Sequence, residues 1–300
     1  MFLVFINDIS QHIFTGTANL YADDTLIYCD GATPTEVNDK LQKCINEVSK
    51  WYASNNLVIN TSKSNTMLVT SSYNARNNDN QLCVSLNGND LQDVKDLTYL
   101  GIIIDNTLTW DTHVKKVCKT VSYTVSRLAR LSNSLPREIL LQIYNASIQP
   151  HIDYALTVWG VTTDHNLHKV QRLQNYAARV ITKNFDYVNV RGIDLVHQLG
   201  WMDVKQRIKY FELLLMFKCI HGMAPHHLCN NVILDCEVSE RVTRSHHMNL
   251  FVPFPTSEFH KRLFFYRGAE AWNCLPDATK ECHSLTGFKD RIKHFIKHSL

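Results

Sequence analysis

Residues 18–29 read Ala-Asn-Leu-Tyr-Ala-Asp-Asp-Thr-Leu-Ile-Tyr-Cys. Two β-favouring stretches flank the adjacent carboxylates Asp23 and Asp24, and such a chain must turn back on itself at the polar pair. The pattern predicts an antiparallel hairpin with its acids at the tip. Aspartate tolerates turn dihedrals, so a solvated hairpin corner accounts for the pair by itself. Adjacent carboxylates can also supply oxygen ligands to a hard divalent cation, as phosphoryl and nucleotidyl transfer require. The hairpin alone leaves both readings open.

The chain after it alternates in character. Thr33-Pro34-Thr35-Glu36 offers an N-cap, a proline at the first helical position and a glutamate at the third. Val37, Leu41, Cys44, Ile45, Val48, Trp51 and Tyr52 then recur on one face, so an amphipathic helix is expected over 34–54, ended by Asn55-Asn56. The apolar runs 57–59 and 67–69 read as strands, and the Asn-rich stretch 71–81 as a mobile surface loop. Residues 82–86 meet Asn87-Gly88, a hairpin signal because both residues tolerate positive φ. The β-branched run 97–104 reads as one buried strand stopped by Asp105-Asn106, with Gly101 an ordinary strand glycine, a bulge or a close backbone approach. An incomplete antiparallel sheet with the 34–54 helix against one face is the expected arrangement before about Trp110.

From Asp111 the pattern becomes helical. Val114, Val117, Cys118, Val121, Val125 and Leu128 are spaced as a buried face, while Lys115, Lys116, Lys119, Arg127 and Arg130 occupy the rest, with no acid between Lys115 and Arg137. A one-signed helix face is either a phosphate-facing surface or simply solvated. Helices are also expected over 136–148 and 166–183, the latter with Lys169, Arg172, Arg179 and Lys183 opposite its apolar side, and over 204–220, with Asp203 as N-cap and Gly222 and Pro225 closing it. Cys219, His221, His226, His227, Cys229 and Cys236 lack the compact pairs of a zinc site, so buried thiols and surface histidines are preferred. The net charge of +3 does not by itself indicate nucleic-acid binding. Nine cysteines, an odd number, favour free thiols in a reducing compartment. The apolar opening is broken by Asn7-Asp8 and no run reaches membrane-spanning length, which predicts an intracellular protein, cytoplasmic or nuclear, neither secreted nor membrane-spanning.

Three segments occur in an order that carries a resemblance. Tyr21-Ala22-Asp23-Asp24 resembles the catalytic hairpin of reverse transcriptases, Leu57-Val58-Ile59-Asn60-Thr61-Ser62-Lys63 their Leu-x-Leu-Asn-x-x-Lys segment, and Tyr99-Leu100-Gly101 their Tyr-Leu-Gly primer-grip strand. Leu3-Val4-Phe5-Ile6-Asn7-Asp8-Ile9 is similar to the segment before the hairpin in the non-LTR (LINE-type, jockey-like) retrotransposon polymerases. So is the Leu-Thr-Trp-x-x-His stretch containing Trp110 and His113 to their thumb entry. Residues 170–175, residues 217–225 and Ala271-Trp272-Asn273-Cys274-Leu275-Pro276 resemble the C-terminal region of that group.

The resemblance implies an α+β fold: a partial reverse-transcriptase palm over 1–109, a helical thumb-like region over 110–200 and a C-terminal helical region over 201–300. It implies catalytic roles for Asp23 and Asp24, Mg²⁺ held by Asp23 in an incomplete site, and a nucleotide and primer site formed by Tyr21, Ala22, Lys63, Tyr99, Leu100 and Gly101. It raises Lys115, Lys116, Lys119, Arg127 and Arg130 as contacts to nucleic acid. The partners implied are an RNA template and a DNA primer or RNA–DNA hybrid, with no small-molecule cofactor beyond nucleotides. Family members carry a first catalytic aspartate and fingers upstream of the hairpin, and Asp8 does not match that aspartate. The chain is therefore expected to be a truncated RNA-directed DNA polymerase, inactive alone; a non-catalytic nucleic-acid-binding remnant and a relic without function are the alternatives.

Overall fold

The structure, a computed structural model, describes residues 6–77, 81–238, 248–255 and 257–299. Part of the 3–9 motif and part of the 71–81 stretch lie outside the described residues. The chain forms two compact units, Met1–His113 and Val114–Leu300.

In the first unit, β1 (Thr17–Tyr21) and β2 (Asp24–Tyr28) form an antiparallel hairpin. Helix α1 spans Pro34–Ser54, the bounds expected from its sequence. Thr33 caps it by accepting from the Glu36 N–H, while the Glu36 carboxylate accepts from the Ala32 N–H. Buried Cys44, Val48 and Trp51 pack against Ile6, Ile9 and Ile13, and Ala18, Leu20 and Ile27 of the hairpin close over them. The rest of the unit contains β3 (Asn65–Thr66), α2 (Ser72–Asn77), β4 (Ser85–Leu86), β5 (Asn89–Asp90), β6 (Gln92–Asp93), β7 (Asp96–Tyr99) and β8 (Ile102–Asp105).

Several expectations are corrected here. The strands make four two-stranded ladders among the described residues, not one antiparallel sheet, and β3 pairs with β6 in parallel. Residues 57–59 are not a strand: the Leu57 N–H bonds back to the Tyr52 carbonyl, Leu57 and Ile59 pack into the core, and Val58 stays exposed. An alternating apolar run makes a ladder only where a second edge is available. The run 67–69 likewise lies outside any ladder, and Ser72–Asn77, within the stretch read as a loop, is helical. The run 97–104 is a hairpin, β7 against β8, that turns at Leu100-Gly101 with φ of 47° and 80°. The Asn87-Gly88 turn forms as expected, with φ of 52° and 79°.

In the second unit, α3 (Asp111–Leu131), whose first turn belongs to the first unit, buries Val114, Val117, Val121, Val125 and Leu128. There follow α4 (Arg137–Ser147), α5 (Gln149–Asp153), α6 (Leu156–Trp159), α7 (Asp164–Thr182), α8 (Gly192–Gln198), α9 (Val204–Ile220), α10 (His226–Cys229), α11 (Asp235–Val238), α12 (Phe264–Asn273), α13 (Asp277–Lys280) and α14 (Leu285–Ser299). Asp203 and Gln206 form a reciprocal capping box at the start of α9. At its end Gly222 has φ 64°, the Met223 N–H reaches the Lys218 carbonyl and the Gly222 N–H the Cys219 carbonyl, a Schellman closure. Instead of one apolar face, α9 is buried on several sides: α6 and α7 lie against it, as do α12 and α14. Its Phe217 stacks on Phe288 at 4.3 Å.

The polar residues of the C-terminal motifs do structural work. Gln174 of α7 donates to the Tyr144 hydroxyl and to the Met202 carbonyl, and Gln171 accepts from the Val204 N–H, which ties α7 to α4 and to the start of α9. Asn273 both donates to the Leu250 carbonyl and accepts from its N–H, while the Trp272 indole donates to Met248.

Candidate metal-binding hairpin and basic helical surface

Ala22 and Asp23 form the corner between β1 and β2, and Asp24 opens β2 opposite Tyr21. The left-handed corner residue is Ala22, with φ 54°, and neither aspartate takes that conformation. With Ala18, Leu20 and Ile27 turned into the core, Tyr21, Asp23 and Asp24 are exposed. Tyr99, at the end of β7, lies beside Asp24: burial raises the pKa of its phenol, and the Asp24 charge raises it further. Asp24 is thus near enough for its charge to act on the Tyr99 phenol. Lys63 sits exposed in the 3₁₀ turn Thr61–Lys63.

Exposed adjacent carboxylates on a fixed corner suit Mg²⁺, which is commonly held by one or two carboxylates, waters and substrate phosphates. Among the described residues no group of three or more His, Cys, Asp or Glu side chains could hold a metal ion, and this includes the Cys/His residues around the end of α9. There the Cys219 thiol is buried, its pKa pushed up to about 11 by desolvation and then by Cys229, whose own thiol donates to the Ala224 carbonyl.

Asp105 was legible in the sequence only as a strand stop. It is buried and accepts hydrogen bonds from the N–H and hydroxyl groups of Thr107 and Thr109 and from the Trp110 N–H at 2.6 Å. These bonds fix a turn in which Leu108 and Trp110 both have positive φ. Burial pushes the Asp105 carboxyl up, but the bonds from Thr109, Thr107 and Trp110 outweigh it and the net shift is downward. The buried His113 accepts at Nδ1 from the Ile103 N–H. The Leu-Thr-Trp-x-x-His stretch therefore anchors the β8 strand to the first turn of α3.

On α3, Lys115, Lys116, Lys119, Arg127 and Arg130 are all exposed. Lys115 and Lys119 line a cleft together with Lys169 and Arg172 of α7. At about 100° per residue, Lys116 and Arg127 lie around the helix from that line, and Arg127 rests over the Tyr123 ring at 5.8 Å. Arg179 corrects the expectation for α7. It is buried, not part of a basic face, and its guanidinium donates to the carbonyls of Asn184, Asp186 and Val190. Helical spacing alone could not separate it from Arg172, because its partners lie on the loop that follows. No described helix is long and apolar enough to cross a membrane.

Residues 1–104 match the family described as reverse transcriptase (RNA-dependent DNA polymerase). The chain is 25% identical over 206 residues to the RNA-directed DNA polymerase from mobile element jockey of Drosophila funebris, covering 65% of this chain and 22% of the relative. The corresponding protein of Drosophila melanogaster is 28% identical over 204 residues, with 65% and 21% covered. A probable RNA-directed DNA polymerase from transposon X-element of the same species is 26% identical over 165 residues, with 54% and 18% covered. No solved structure matches the chain significantly. Its first 104 residues are thus similar to reverse transcriptases. The relatives are polymerases of mobile elements, and the chain spans about a fifth of the length of the curated relatives it matches.

Proposed function

We propose that this chain carries the acidic hairpin of an RNA-directed DNA polymerase that extends a DNA primer on an RNA template. Asp23 is the Mg²⁺ ligand and Asp24 its acidic neighbour. Residues 1–109 are the palm portion, 110–200 the thumb and 201–300 a helical C-terminal region. The observation that carries this reading is the exposed Tyr21-Ala22-Asp23-Asp24 corner with Tyr99 beside Asp24, inside the segment that matches the family. Bound there, Mg²⁺ would neutralise charge on the triphosphate and activate the attacking primer oxygen. The chain's own contribution is to present two carboxylates on a rigid turn; Tyr99, Leu100, Gly101 and Lys63 are the candidates for contact with primer and nucleotide.

The test is primer extension on a primed RNA template by a chimaera in which this chain replaces the corresponding segment of a jockey polymerase. Asp23→Asn is expected to cost at least about two orders of magnitude in rate, the scale of losing one preorganised charge-stabilising group. An Asp23→Asn chimaera as active as its parent would refute the role. The isolated chain is expected to be inactive, because one hairpin supplies too few carboxylates for a two-ion site. A non-catalytic nucleic-acid-binding role is the second reading, and the cleft between α3 and α7, lined by Lys115, Lys119, Lys169 and Arg172, favours it.

A further inference from the structure

Helices α3 and α7 border a cleft of about 860 Å³. Lys115, Lys119, Lys169 and Arg172 line it, and among the described residues no carboxylate does. Lys115 and Lys119 are one helical turn apart and share a face of α3. Lys169, from α7, comes close enough to Cys118 to oppose the rise in its pKa that burial causes, so the cations of the two helices converge on one space. Like charges gathered around a concavity repel one another, and an anion bound there relieves that repulsion.

The same cleft contains a fixed aromatic platform. Arg179 is 5% exposed and held by three backbone carbonyls, and its guanidinium lies 4.2 Å from the centre of the Tyr187 ring. Asp186 secures the loop from its other side, accepting from the N–H groups of Val188 and Asn189 and from the Asn189 amide. Tyr187 remains 65% exposed, so one ring face rests on an immobilised cation while the rest is accessible. At Gly192, also on the cleft wall, a Cβ would come within 2.7 Å of the Asn175 Cβ, so close packing of α8 on α7 needs glycine there. The volume is in the range of small-ligand sites and sufficient for a nucleotide unit. Cations that track a backbone beside an aromatic face that accepts a base are the means by which proteins hold single strands without reading sequence.

We propose that this cleft takes a single-stranded segment of RNA or DNA, its phosphates on Lys115, Lys119, Lys169 and Arg172 and one base stacked on Tyr187. The proposal rests on the nucleic-acid reading of the same helices and narrows it to an unpaired strand. The experiment is fluorescence anisotropy with the full chain, using a labelled single-stranded RNA, the same sequence paired as an RNA–DNA duplex, and adenosine monophosphate as competitor. Tyr187→Ala, and separately Lys119→Ala with Arg172→Ala, are expected to weaken single-strand binding about tenfold. Tyr187→Trp should retain it, and Tyr187→Ala should leave duplex affinity unchanged.

Unchanged single-strand affinity in either variant, with the parental circular dichroism spectrum, overturns the cleft assignment. So does an equal loss on single strand and duplex in Tyr187→Ala; both results leave the broader nucleic-acid reading standing. Displacement by adenosine monophosphate at concentrations comparable to the oligonucleotide would assign the cleft to a free nucleotide and also overturn the proposal. No binding of the parent chain to either nucleic acid would remove both readings.

Discussion

Asp105 illustrates how much one buried side chain can decide. Removing its carboxylate in Asp105→Ala leaves the N–H groups of Thr109 and Trp110 without their acceptor inside a turn of two left-handed residues. The expected loss of stability is about 3 kcal/mol, measured by urea denaturation. The pH dependence has a defined sign. A carboxyl whose pKa is depressed on folding contributes stability that is present above its unfolded value of about 3.9 and lost as pH falls through the folded value. The parent should therefore lose stability below about pH 4 more steeply than Asp105→Asn, which cannot titrate.

Among the elements, those with their own punctuation were legible in the sequence. Helix α1 begins at Pro34 because Thr33 caps and proline pre-sets φ; α9 begins after Asp203 for the same kind of local reason. The β7–β8 turn was not legible, because Leu100 takes a left-handed φ that leucine does not advertise and the β-branched run on either side looks continuous. The electrostatic influence of Asp24 on Tyr99 was equally hidden, since nothing local joins residues so far apart in sequence. The pair of buried Glu212 on α9 and half-buried Arg267 on α12 belongs to the same class of long-range facts. Burial raises the Glu212 pKa and Arg267 opposes that, so Arg267→Met, which strands the carboxylate, should cost about 3–5 kcal/mol in a denaturant melt. For α3, replacing Lys115, Lys116 and Lys119 together by alanine should flatten the dependence of log K on log salt by up to about three units, without altering sequence preference. An unchanged slope would mean that these lysines only solvate the helix.

At the scale of the whole molecule, the two units rest on different physics. The second has a large apolar core that joins α9, α12 and α14, and its elements are helices whose backbone bonds are satisfied locally. The first depends on small cores beneath α1 and on short ladders that leave strand edges unpaired. Exposed edges invite association between chains. A fragment of residues 109–300 should therefore fold cooperatively with a helical circular dichroism spectrum. Residues 1–113 alone should associate, and calorimetry of the full chain should resolve two transitions. A single transition shared by both units would contradict this.

The left-handed backbone of Ala22 restricts which residues evolution can place beside the acidic pair. For an L-residue this conformation costs roughly 1–2 kcal/mol, less for asparagine or aspartate and almost nothing for glycine, and most for branched side chains. In a saturation library at position 22, scored for abundance and not for polymerisation, glycine, asparagine and aspartate should survive as well as alanine. Valine, isoleucine and threonine should be depleted although their hydrophobicity and size suit a β-hairpin. Variation at this site would then record the handedness of a peptide unit, and the aspartates beside it would be free to record the chemistry.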